Sequence, residues 1–438
     1  MMILVALLAA SCSVADDTAS TTTTPSAANP PQVQEGQLVR ADVDRATTTD
    51  ATDEEVAAVV AGNTEFALEL FRAAAAEGGN TFLSPYSIAA ALTMTYAGAR
   101  GLTADEIAET LLFGVDGDRI HTVRNELDLR VTTIPEPLPD DPREPMSIEI
   151  ANSLWGQYDY PFLEDFLTTL AESYDAGMNL VDFVADAEAA RVEINDWVED
   201  QTRGRIVDLI PQGVIDSMTR MVLVNAIWFK ASWAEQFEPE ATADSTFHTL
   251  TGGETTVPFM NGGGLIPYTA GDGFEMVRMP YAGDASMVVL VPDEGRFEEI
   301  AEQLDSQFLA AALTGATTRD IDLAFPKFEF TSEFGLSETL QEMGIVEAFA
   351  SPGGDDGADF TGMTEPRELF IQDVIHQAFV SVDETGTEAA AATAVIIGLT
   401  SVSEQPLAVK VDRPFIFLIE HSSTGEILFI GQVVDPAA

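Results

Sequence analysis

Residues 383–395 read Asp383-Glu-Thr-Gly-Thr-Glu-Ala-Ala-Ala-Ala-Thr-Ala-Val395, and the state of this stretch decides what the rest of the chain is built for. By local propensity it predicts a helix start. Thr385 and Glu388 have capping-box spacing, and four alanines, the best helix formers, follow. The continuation does not sustain a helix: Val395 to Ser403 is made of β-branched, Gly and Ser residues that lose rotamer freedom there or compete for its backbone.

Downstream, apolar runs Pro414 to Glu420 and Ile427 to Val434 bracket His421-Ser-Ser-Thr-Gly425, a hairpin signal. Upstream, strand-like runs rich in β-branched and aromatic residues occur at Ile148 to Trp155, Met221 to Phe229, Ser286 to Val291 and Ile321 to Phe330. Helical spacing covers Glu54 to Ala76 and Thr103 to Leu112, with Thr103 and Glu106 placed as a capping box. Ser87 to Tyr96 is apolar almost all round, which predicts a buried helix. Helices come early, strands dominate late, and no βαβ rhythm appears, so the class is α+β.

The chain has 438 residues, 46% of them hydrophobic, enough for a large core. Its 20 Lys and Arg against 73 Asp and Glu give a formal charge of -53, which repels phosphate backbones and anionic lipids, so nucleic acid is not an expected partner. Such acidity reads first as a solvated surface and second as a means of attracting a basic partner.

Cys12 is the single cysteine, so no intramolecular disulfide and no cysteine-based metal cluster is possible. It follows the apolar run Ile3 to Leu8 and the small residues Ala9, Ala10 and Ser11, an arrangement that resembles a bacterial lipoprotein signal in which the cysteine is lipidated. No Lys or Arg precedes Ile3, and Ala9 stands where that pattern usually has Leu, so a plain cleaved signal is the alternative. Residues 1–12 are accordingly expected to be a signal, 13–53, poor in large apolar side chains, a disordered spacer, and 54–438 one globular domain. No later run reaches the roughly 20 apolar residues of a spanning helix, so a secreted protein is expected, held to the outer face of a membrane only through Cys12.

Catalytic patterns are missing. His121, His248, His376 and His421 have no zinc-helix spacing, and there is neither a Gly-x-Ser-x-Gly elbow nor a phosphate-binding loop. Gly262-Gly263-Gly264 reads as a turn. Gly353 to Asp359 lacks the bidentate Glu of a calcium loop and reads as a solvated acidic loop. No metal and no cofactor is implied.

Six blocks, in order, resemble the serpin family: Phe82-Leu-Ser-Pro-Tyr-Ser-Ile88; Leu223-Val-Asn-Ala-Ile-Trp-Phe-Lys230 with Trp233; Phe325-Pro-Lys-Phe328; Ala358-Asp-Phe-Thr-Gly-Met363; the Glu384 segment; and Arg413-Pro-Phe-Ile-Phe417 to Gly431. The resemblance implies a fold of three β-sheets with eight or nine helices and an exposed reactive loop, and a monomer that inhibits a protease rather than acting as an enzyme. The stretch from Glu384 would be the hinge, comprising Glu384, Gly386, Thr387, Glu388 and Ala389, Ala390, Ala391 and Ala392. After attack by the protease's serine, the resemblance implies, the cut loop would enter the central sheet as a new strand. Thr387, Ala389, Ala391, Thr393, Val395 and Ile397 would then face the core and Glu388 the outer face, and no proline interrupts Thr387 to Glu404.

Ser84, Ser87, Asn225 and His376 match the family's shutter beneath the opening point, and Lys327, Glu384 and Trp233 match the breach at its top. The family's usual spacing from Glu384 places the cut at Thr400-Ser401; the longer stretch before Pro414 leaves Leu399, Ser401 or Val402 as alternative residues before the bond. With no Lys, Arg or Asp between Thr387 and Ser403, the expected partner is an elastase-like or subtilisin-like serine protease, with a chymotrypsin-like enzyme if Leu399 is read and a cysteine protease as a further class. The competing reading is a serpin fold that binds without inhibiting.

Overall fold

Backbone pairing in the computed structural model gathers the strands into two hydrogen-bonded sheets. Residues 37–438 are described, except 77, 135–142, 144, 354–356, 366 and 389–404. Nine α-helices lie among them, beginning with Asp53–Ala75 and Pro85–Tyr96. The cap expected at Thr385 does not start a helix among the described residues: Gly386–Thr387 is a strand, and the alanines that follow lie outside them.

The first sheet has seven strands in the order Gln37–Val39, Met178–Val181, Ser147–Gln157, Met221–Ser232, Gly386–Thr387, Val374–Val382, Phe328–Gly335. The second runs Leu407–Lys410, Thr317–Pro326, Glu254–Gly271, Phe274–Pro280, Ala285–Pro292, Phe415–His421, Ile427–Val433, Thr81–Leu83, with Ala243–His248 also paired to Glu254–Gly271. Two ladders appear where three sheets were expected because the 18-residue strand Glu254–Gly271 runs unbroken from one half of the second sheet into the other. The glycines read as a turn lie in the middle of that strand. A Cβ on Gly263 would strike the Ile321 carbonyl oxygen of its neighbour, so glycine permits the approach there.

The run Ile321 to Phe330, expected as one strand, divides at Lys327. Thr317–Pro326 belongs to the second sheet and Phe328–Gly335 to the first. Proline has no N–H to continue a ladder, so the chain changes sheets there and leaves the Lys327 side chain at the crossing.

The predicted hairpin forms, and every residue of Phe415–His421 and Ile427–Val433 is buried. Phe229 of the first sheet lies 5.9 Å from Phe429 of the second, and Phe328 of the first 5.4 Å from Phe417 of the second, tying the two sheets to one core. The helix Pro85–Tyr96, buried along nearly its whole length, fills the space beneath the first sheet.

Two further expectations are corrected. The spacer does not extend to residue 53: Gln37–Val39 pairs with Met178–Val181, Arg45 Nε donates to Asn125 Oδ1 at 2.9 Å, and Thr49 Oγ1 donates to Glu126 Oε2 at 2.7 Å. A free sheet edge supplies backbone partners to a segment poor in apolar side chains, and composition does not register that. The capping box at Thr103 and Glu106 is also not formed. The helix begins at Gly101, Thr103 Oγ1 accepts from Asp359 N, and Glu106 Oε2 accepts from Val346 N and Glu347 N, so tertiary partners have taken both groups. The box lies instead at Thr52 and Glu55, starting Asp53–Ala75.

Candidate functional site

Strands Met221–Ser232 and Val374–Val382 run parallel, and they pair directly only from Val374 opposite Leu223 to Gln377 opposite Ala226. Above that ladder Gly386–Thr387 lies between them. Gly386 opposes Ser232, and Thr387 opposes Ala231 on one side and Val382 on the other. A Cβ on Gly386 would collide with the Ala231 carbonyl oxygen, so this entry needs glycine. Thr387 is buried, and its hydroxyl shares a 2.7 Å hydrogen bond with the phenol of Tyr281.

The top of the opening is closed by the chain just before that strand. Lys327 Nζ donates to Glu384 Oε2 and Thr242 Oγ1 to Glu384 Oε1, both at 2.7 Å. Burial pushes the Glu384 carboxyl up, but the hydrogen bonds from Lys327 and Thr242 outweigh it and hold the group below its ordinary value. Trp233 is fully buried, stacks on Tyr281 at 4.5 Å and donates from Nε1 to the Asp383 carbonyl at 2.9 Å. Asp383 Oδ1 in turn accepts from Thr385 N and Oγ1 and from Gly386 N, turning the chain into the gap.

Beneath the opening, the structure brings Ser84, Ser87, Asn225 and His376 together. His376 Nε2 accepts from Ser84 N at 3.1 Å, which puts the ring proton on Nδ1, where it is donated to Asn225 Oδ1 at 2.6 Å. Asn225 Nδ2 donates to Ser87 Oγ at 2.7 Å and to Asn152 Oδ1 at 2.8 Å, and Ser84 Oγ donates to the Leu428 carbonyl. Ser84 also caps the helix Pro85–Tyr96 by accepting from Ser87 N. Burial lowers the His376 pKa to about 3, so the ring is neutral and each nitrogen has one role. The network joins the two strands where they pair directly.

Asn152, Tyr281, Thr242 and Asp383 are members of these clusters that sequence reasoning did not single out. For Asp383 a signal was present, since Asp followed two residues later by Thr and then Gly has turn chemistry. The other three are brought in by long-range packing. Ala389 to Ala392, Leu399, Thr400, Ser401, Val402 and Cys12 lie outside the described residues. The anchors of the stretch 389–404 are described: Thr387 in the first sheet, and Leu407–Lys410 on the edge of the second, parallel to Thr317–Pro326.

The site is thus a central sheet with a two-residue strand begun between two others, a polar clasp below it and an ion pair above it. The family model described as Serpin (serine protease inhibitor) matches residues 61–436, and the chain belongs to that family. It is 37% identical over 382 residues to an uncharacterised serpin-like protein of Thermococcus kodakarensis, covering 86% of each chain. It is 37% identical over 390 residues to the leukocyte elastase inhibitor of Sus scrofa, covering 86% of this chain and 99% of that one. Among solved structures, native tengpin, a thermophilic serpin, superposes with a TM-score of 0.79 at 28% identity over 91% of this chain and 100% of that chain. Uncleaved ovalbumin superposes with a TM-score of 0.77 at 28% identity over 86% and 100%.

Proposed function

We propose that this protein is a single-use inhibitor of a serine endopeptidase, consumed when the protease cuts the loop between Thr387 and Leu407 and the cut end enters the first sheet. The observation that carries the reading is Gly386–Thr387, already paired on both sides in the gap. Extending that register places Glu388 to Ala391 in the existing opening and Ala392 to Val395 against the residues that now pair directly. Thr393 then stands opposite both His376 and Asn225, so completing the strand parts their hydrogen bond and offers a hydroxyl to each partner.

The lower part of the opening is covered on its outer face. Val222, Val224 and Ile375 pack with Phe183, Ala190, Ile194 and Val198 of the helix Phe183–Gln201, which must shift for residues beyond Ala392 to enter. Acylation at Thr400 by an elastase-like or subtilisin-like enzyme would leave the strand free to grow and carry the attached protease along the sheet. The N-terminal pattern supports export, with Cys12 as the lipid anchor.

The test is to incubate the protein separately with elastase and subtilisin, then examine it by denaturing gel and mass spectrometry. A covalent complex, with a released peptide beginning at Ser401, is expected. Cleavage within 388–404 with no complex from a wide protease panel would replace this reading with a non-inhibitory one.

A further inference from the structure

The strand in the gap stops after Thr387, and the residue at which it stops is unusual. Glu388 has φ +51, a left-handed conformation that side-chain-bearing residues rarely adopt, although its N–H still donates to the Ser381 carbonyl at 2.9 Å. Its side chain is only 4% exposed. Among the described residues, neither buried carboxylate oxygen accepts a well-aligned hydrogen bond; Arg205 Nε lies 2.5 Å from Oε1 without that alignment. Arg205 is itself half exposed and lies over the Phe379 ring at 5.3 Å.

We propose that Glu388 is a positioning residue that sets how deep the uncut loop enters the sheet: its buried carboxyl group, held beside Arg205 on a left-handed backbone, arrests the strand after Thr387 and returns to water when the strand grows. The inhibitory reading enters this proposal only as the source of the cut. In the extended register Glu388 lies opposite Lys230 and Ser381, two half-buried residues, and an extended φ relieves the left-handed backbone.

The charged groups facing Glu388 are Arg205 and Arg203 from the segment after the helix Phe183–Gln201, Lys230 from Met221–Ser232 and Glu329 from Phe328–Gly335. Burial pushes the Glu388 carboxyl up to about 7, with Arg205, Lys230 and Arg203 opposing the rise and Glu329 adding to it. The group therefore holds its proton more tightly in the arrested position than in water. The proton's contribution to the arrest is complete below the ordinary carboxylate range and is lost as pH rises through about 7, so insertion is faster above that pH.

The experiment compares wild type, Glu388→Gln and Arg205→Gln from pH 5.5 to 9, with the loop cut by excess subtilisin. Insertion is followed by stopped-flow tryptophan fluorescence, since Trp233 adjoins the hinge, and verified by the gain in thermal stability. The wild-type rate should rise about tenfold through neutral pH, the equivalent of roughly one pH unit of the shift expressed in the rate. Glu388→Gln, a neutral near-isostere, should remain at the slow value throughout, and Arg205→Gln should move the wild-type midpoint to higher pH. A wild-type pH profile retained by Glu388→Gln, or a cut loop that never inserts, would overturn the proposal. Wild type that inserts after cleavage yet never holds its protease would sink the inhibitory reading alone, because the profile still judges Glu388.

Discussion

Thr393→Arg isolates the role that the register assigns to the loop. Residue 393 is placed between His376 and Asn225, both almost wholly inaccessible to water, where a guanidinium would have no carboxylate partner. The effective cost of burying an unpaired charge is several kcal/mol, and about 4 kcal/mol in the insertion barrier slows it roughly 1000-fold. Release of the protease by water then overtakes insertion. Ala390→Arg is the matched control, since alternation puts residue 390 on the outer face opposite Phe379 and Trp228, where an arginine can lie over the rings with its head in water. In a denaturing-gel assay Thr393→Arg should be cut with no covalent complex while Ala390→Arg still traps. Equal behaviour of the two variants would refute both the register and the insertion argument.

Asn225→Ala leaves His376 Nδ1 and the Ser87 and Asn152 side chains short of a partner, which should cost about 3 kcal/mol and lower the uncut protein's Tm by about 4 °C. The cleaved, inserted form should lose less, because insertion separates these strands in any case; scanning calorimetry of both forms checks this. Gly386→Val should clash with the Ala231 carbonyl and expel the first inserted pair, read as faster amide exchange at Thr387. Glu426 is fully buried, and that burial pushes its pKa to about 7 although Arg124 and the Asn63 amide favour the charged form. Its proton stabilises the fold below the ordinary carboxylate range, and that stability, up to about 3 kcal/mol, is lost as pH rises through about 7. Denaturant titrations should show wild type weakening between pH 5 and 8 relative to Glu426→Gln.

Much of the architecture was legible in the chain. Runs rich in β-branched and aromatic residues such as Ser286 to Val291 marked strands, the pair of runs around His421 to Gly425 marked a hairpin, and the all-round apolar Ser87 to Tyr96 marked a buried helix. These readings rest on periodicity and burial, which neighbouring residues largely determine. The short polar motifs Ser84, Ser87, Asn225 and His376 were identifiable one at a time and by resemblance, and the fold places them within hydrogen-bonding reach of one another.

What local pattern misjudged was any group with two possible partners. Thr385 and Glu388 have the spacing of a helix cap, yet Thr385 bonds to Asp383 and Glu388 lies against Arg205, because a gap between two strands offered the intervening backbone a ladder on each side. Thr103 and Glu106 lost their expected cap in the same way, to Asp359 and to Val346 and Glu347. By itself the sequence determined which segments are apolar, which carry only small side chains, and where glycine permits a close approach or proline a change of sheet. Only the tertiary structure decided that the strand stops at Glu388 and that Asn152, Tyr281 and Arg205 surround it or the clasp below. A hydrogen bond or a desolvated charge depends on which groups long-range packing brings within about 3 Å, and no local pattern carries that distance.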